Sequence, residues 1–122
     1  MKMTNQVYFM NAKHEEQYSE LLGATLYPHD KERKAMFYII AGNDELFKYT
    51  DKIYDFPEEE LKIGSNLGKL NAMCSSSKAL LKLAFQLYNG RNNKQSVYDT
   101  FAYLDNENKR LALEAIKIRF NF

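Results

Sequence analysis

Cysteine, histidine, glycine and proline are scarce in this chain of 122 residues: one Cys, two His, five Gly and two Pro, with no Trp. A lone cysteine, Cys74, excludes an internal disulfide framework and any cysteine-rich zinc module. With only His14 and His29 beside it, no metal site is expected. The glycines stand apart at 23, 42, 64, 68 and 90, so there is no Gly-rich phosphate loop. His-Glu-x-x-His and Cys-x-x-Cys spacings are also missing. No apolar run approaches the roughly 18 residues of a membrane span. The opening MKMTNQVYFM has no apolar stretch of the kind a signal peptide needs. These absences point to a reduced, cytoplasmic chain without cofactor, metal or membrane partner.

What is present is enough for a core. Hydrophobic residues make up 45 % and charged residues 27 %, which suits one globular domain over 1–122. Nine Tyr and eight Phe are many for this length, and most sit at helical spacing with Leu and Ile, as core aromatics do. The net charge of +1 conceals an asymmetry. Residues 1–61 carry seven Lys/Arg against twelve Asp/Glu, and residues 62–122 carry ten against four. Between 62 and 98 there is no acidic residue, whereas Asp55–Glu60 just before it is an acidic run. Halves of opposite charge either neutralise each other in the fold or offer a docking surface.

Periodicity predicts a mostly α, compact bundle of about six helices, with at most a minor β hairpin or short strand. The apolar Gln6–Met10 is read as a short strand or an extended segment pinned to the core. Asn11 is placed as N-cap of a helix over Ala12–Leu22 with His14, Tyr18, Leu21 and Leu22 inward, and Gly23 as its stop. Pro28 and Asp30 open a second helix whose end, Met36–Ala41, is apolar all round and therefore buried; Gly42 closes it. Asn43 caps a short third helix. Tyr54–Ser77 has no clean period, and a hairpin near Glu58–Ile63 is considered there. The serines 75–77 are read as the cap of a helix closed by Asn89-Gly90. Ser96 with Asp99 resembles a capping box, with Val97, Phe101 and Leu104 on one face. Asp105 caps a last helix carrying Leu111, Ala115 and Ile118, and Phe120 and Phe122 are expected to dock the C-terminus.

No familiar catalytic constellation appears. His14-Glu15-Glu16 could supply a general base, but the favoured reading is a first helical turn whose acids complement its dipole, with His14 resting against the core. Cys74 beside Ser75 lacks a nearby base and reads as a small, partly buried thiol. Two surfaces remain. Tyr54 and Phe56, with Glu58, Glu59 and Glu60, have no helical home and offer aromatic anchors beside carboxylates that could fill a positively charged channel. Reversing the three glutamates should then leave the fold intact. Alternatively, Lys78, Lys82, Arg91 and Lys94 could bind nucleic-acid phosphates.

Three stretches carry a resemblance. VYFMNAKHEEQYSELL (Val7–Leu22), MFYIIAGNDELFK (Met36–Lys48), and SSSKALLKLAFQLYNG with VYDTFAYLDNENKRLALEAIKIRF (Ser75–Gly90 and Val97–Phe120) resemble a family of small uncharacterised proteins of Firmicutes, their plasmids and phages. The resemblance implies a mobile-element context and transfers no catalytic residue. Together these features lead to the expectation of a small non-enzymatic binding protein that occludes a host protein, such as a defence nuclease of the CRISPR type. The alternative is a nucleic-acid-binding regulator using the basic 62–98 stretch.

Overall fold

A computed structural model describes residues 7–62, 72–90 and 94–122. Among them are seven helices and one two-stranded antiparallel hairpin, in the order α1 (Ala12–Ala24), α2 (Lys31–Ala41), α3 (Asp44–Lys48), α4 (Thr50–Ile53), β1 (Tyr54–Asp55), β2 (Glu60–Leu61), α5 (Ser75–Asn89), α6 (Val97–Ala102) and α7 (Asn106–Phe120). The protein is mostly α. No helix among the described residues is long and apolar enough to cross a membrane.

The bundle is built around α2. Every residue from Ala35 to Ala41 is at most 1 % exposed, which only a helix covered on all sides achieves. It packs on α1, α5 and α7, and these supply Tyr18 and Leu21, then Leu80, Ala84 and Leu87, then Leu111, Ala112 and Ala115. Caps fix where the helices begin. Asn11, Asp30, Asn43, Ser96 and Asp105 each accept a hydrogen bond from the backbone N–H three residues on. Ser96 and Asp99 complete a reciprocal capping box. Gly90 ends α5 in the left-handed conformation at φ 70°, where a Cβ would strain the backbone.

Several local expectations are corrected. Gly23 does not stop α1, which continues to Ala24 and ends at the extended Thr25. The serines 75–77 lie inside α5, whose N-cap is Cys74 without a side-chain cap bond. A one-turn helix, α4, fills part of the stretch that lacked a period, and its end leads straight into the hairpin. Val97 turns outward, and Phe120 and Phe122 are 61 % and 73 % exposed instead of docked. Of the two readings for residues 7–10, the strand does not form and the segment is pinned to the core: Phe9 rests against the His14, Tyr18 and Tyr38 rings at 5.1, 5.6 and 6.1 Å. Gly64, Gly68 and Ile63 lie outside the described residues.

Candidate functional site

Hairpin geometry decides which of the Tyr54–Glu60 residues face outward. Tyr54 pairs with Leu61 and Asp55 with Glu60, so the intervening turn bends tightly enough to put Glu59 at φ 55°. That left-handed conformation is unfavourable for a residue with a side chain, and here side-chain bonds hold it. The Glu59 carboxylate accepts hydrogen bonds from Tyr54 Oη at 2.6 Å, Thr25 Oγ1 at 2.7 Å and the Leu26 N–H at 2.8 Å. Arg33 Nε lies 3.6 Å from it and donates to Tyr54 Oη at 2.8 Å. The same guanidinium donates to Asp30 at 2.8 Å and to the Glu59 carbonyl at 3.1 Å, and it lies over the Tyr27 and Tyr88 rings. Burial opposes ionisation of Glu59, but the bonds from Tyr54, Leu26 and Thr25 and the Arg33 charge outweigh it and hold its pKa below the ordinary glutamate value. This cluster ties the hairpin to the α1–α2 loop and to α2.

The expected acidic docking surface is therefore split. Tyr54 is 1 % exposed, with its ring edge-on to Phe37 at 5.1 Å, and Phe56 is half-buried and stacked on Phe37 at 5.6 Å. Glu59 is engaged inside. Glu58 and Glu60 alone of the five point to solvent. Nothing in the residue types distinguishes Glu59 from its neighbours, and Arg33, its partner, stands among the charged residues Lys31, Glu32 and Lys34 at the start of α2.

His14 sits in the core at 2 % exposure. Its Nδ1 accepts from the Met10 N–H at 3.2 Å, so Nε2 carries the proton and donates to the Tyr38 carbonyl at 3.0 Å. Burial pushes its pKa down, partly offset by the Tyr38 bond, and the ring is neutral. Its hydrogen-bond partners are backbone groups, not carboxylates or Cys74. Cys74, read from sequence as partly buried, is exposed. Its Sγ lies 3.3 Å from Ser76 Oγ and Glu45 Oε1 and 3.4 Å from Ser77 Oγ; the serine bonds lower its pKa against burial and Glu45. No imidazole bonds to it. Among the described residues no group of three His, Cys, Asp or Glu side chains could hold a metal ion.

Lys78 and Lys82 share one face of α5 by their i, i+4 spacing, and Lys94 precedes α6 at φ 65°. Arg91, the fourth residue of the nucleic-acid reading, lies outside the described residues.

Sequence reasoning missed a group of exposed apolar side chains at α6. Val97, Tyr98 and Tyr103 on α6 and at its C-cap are 77 %, 79 % and 61 % exposed. Only Thr100 of α6 is buried; Gln95 donates to its Oγ1 at 2.9 Å and to the Ala79 carbonyl at 3.0 Å, which anchors the helix by polar contacts. Phe101 packs partly against the core, while Val97 and Tyr98 face out. From 95 to 108 the chain carries Asp99, Asp105 and Glu107 and no Lys or Arg, with Lys94 before and Lys109-Arg110 after this stretch.

Residues 4–122 match the family of unknown function DUF6075. The chain belongs to that family. No curated protein and no solved structure matches this DUF6075 chain. The match spans nearly the whole sequence and therefore includes the Arg33–Glu59 cluster and α6 alike.

Proposed function

We propose that this DUF6075 protein is a non-enzymatic binding protein of a phage or mobile element that works by occluding a host protein, with α6 as its contact surface. The observation that carries the reading is the exposure of Val97 and Tyr98 on α6 and of Tyr103 at its C-cap. Tyrosine supplies large contact area at low entropic cost and is enriched among interface hot spots. Asp99, Asp105 and Glu107 add negative charge, so a partner with a basic groove fits best. A nuclease channel that normally holds phosphates has that character, and carboxylates beside aromatic anchors would compete for it. The mobile-element context rests on the resemblance described above.

The test is capture from host lysate by the native protein and by a Tyr98→Ser, Tyr103→Ser double variant. Both positions are exposed, so folding stability should change by no more than about 0.5 kcal/mol. Loss of two hot-spot tyrosines should weaken the partner complex by on the order of 30-fold or more. Capture of the same protein at undiminished affinity by the double variant removes α6 from the interface. Salt-sensitive duplex binding that disappears in Lys78→Gln plus Lys82→Gln would favour the nucleic-acid reading instead.

A further inference from the structure

A cleft of about 460 Å³ opens between the segment at Val7–Tyr8, α1, the start of α2 and the last turns of α7. This volume lies in the usual range for small-molecule sites, roughly 300–1,000 Å³. Its charge is one-sided. Lys31, Lys34 and Lys117 line it, with His29 at the start of α2. Glu114 is the one carboxylate side chain among the described lining residues, and it is already held by Arg110 at 2.8 Å and Lys117 at 3.5 Å. Lys31 and Lys34 have no ion-pair partner among the described residues.

A neutral donor faces the same space. Tyr18 lines the cleft and is 6 % exposed, yet its hydroxyl has no hydrogen-bond partner among the described residues. No fully buried side-chain polar atom lacks a partner, so this hydroxyl keeps its remaining contact with the space of the cleft. Burial pushes its pKa up to about 12, and it is a proton donor at neutral pH. The hydroxyl therefore opens onto the cleft, where it can donate to an acceptor bound there. Ile118 and Phe122 give the opposite wall an apolar character.

We propose that this cleft binds a small organic phosphate monoester, its phosphate on Lys31, Lys34 and Lys117, the Tyr18 hydroxyl donating to it, and its apolar body against Ile118 and Phe122. Lysine is a compact point charge suited to phosphate, and several ammonium groups match a dianion better than a single carboxylate. Phenyl phosphate is the simplest probe of this chemistry, with inorganic phosphate as the anion without an organic body and benzoate as an aromatic anion without a phosphate.

Calorimetric titration reads the outcome, with amide chemical shifts locating the site. Phenyl phosphate should bind one-to-one, shift the amides of Tyr18, Lys34 and Ile118, and weaken as salt is raised. Lys31→Gln plus Lys34→Gln should weaken it by at least ~10-fold, because each lost charge-assisted bond carries about that factor. Tyr18→Phe, which keeps the packing, should weaken it by about 5-fold. Inorganic phosphate and benzoate should each bind more weakly than phenyl phosphate. Absence of saturable binding at millimolar phenyl phosphate overturns the proposal, as does binding indifferent to the double lysine variant. Benzoate binding as tightly as phenyl phosphate overturns the assignment of a phosphate. Inorganic phosphate binding as tightly as phenyl phosphate overturns the assignment of an organic body.

Discussion

The Arg33–Glu59 cluster and the α6 shelf invert the same rule in opposite directions. At the hairpin, a guanidinium, two carboxylates and a phenol are drawn inward and matched to one another. At α6, a valine and two tyrosines are left in water. Placing polar groups inside is tolerable only when their bonds are complete, and here Glu59 has a donor on each oxygen. Apolar groups outside need no such completion; they forgo burial, and a surface that does so is suited to a partner. The first region should therefore control stability, and the second should control association with little effect on stability.

The largest effect is expected where the matching is broken. Arg33→Met keeps a long side chain but removes the cation that faces Glu59 and Asp30. Arg33 is 16 % exposed and Glu59 9 %. Stranding a buried carboxylate costs about 3 kcal/mol or more, which denaturant unfolding would register as a large drop in midpoint. A loss below 1 kcal/mol would mean that the cluster only decorates the hairpin. The same reasoning corrects the expectation that all three hairpin glutamates tolerate reversal: Glu59→Lys would bring a cation against Arg33 and abolish three hydrogen bonds.

The next effect concerns the His14 corner of the core. A Cβ at Gly42 would lie 2.4 Å from Leu111 Cδ1 and 3.0 Å from His14 Nε2. The φ of −91° at Gly42 suits any residue, so the constraint is space and not backbone conformation. Gly42→Ala should destabilise by about 1–3 kcal/mol through overpacking. Its melting temperature is the direct measurement, and an unchanged value would show that Leu111 moves aside freely.

Acid should reveal both buried polar groups in sequence. The pKa of His14 is lowered in the fold from its ordinary 6.5. Below that value the unfolded chain takes up a proton the folded chain refuses, so stability falls as pH drops from 6.5 toward the folded pKa. Glu59 is lowered from 4.5, so its contribution is complete above 4.5 and is lost as pH falls through its folded pKa. Stability measured from pH 7.5 to 3 should decline in two steps, the second shared with Asp30 and Glu45, whose pKa values the fold also lowers. His14→Gln, which keeps a donor for the Tyr38 carbonyl, should remove the first and leave the second. Persistence of the first step in that variant would assign it to another group.

These regions also show what a sequence makes legible. The caps at Asn11, Asp30, Asn43, Ser96 and Asp105 and the buried Met36–Ala41 were readable because each depends on neighbours within four residues. Gly42 was readable as an end but not as the space that admits His14 and Leu111, which arrive from α1 and α7. Phe120 and Phe122 were misassigned because helical spacing identifies a face without saying whether anything covers it. Of the candidate site residues, Glu59 differs from Glu58 and Glu60 through Tyr54 nearby and through Thr25, Leu26 and Arg33, 26 to 34 positions away. Charge asymmetry along the chain carried no trace of that pairing.

The smallest effect sharpens the comparison most. Glu58 and Glu60 flank Glu59 but face solvent, where a charge contributes little to stability. Glu58→Lys plus Glu60→Lys should change unfolding free energy by about 0.5 kcal/mol or less, whereas Glu59→Lys alone should prevent stable folding. The contrast isolates burial from residue type, since all three positions are glutamates within three residues. It also separates the two surfaces in function. If association runs through α6, the double reversal should leave the partner's dissociation rate unchanged and alter only the salt dependence of its on-rate. A faster dissociation rate in the double reversal, at unchanged stability, would place the hairpin acids within the contact and extend the interface beyond α6.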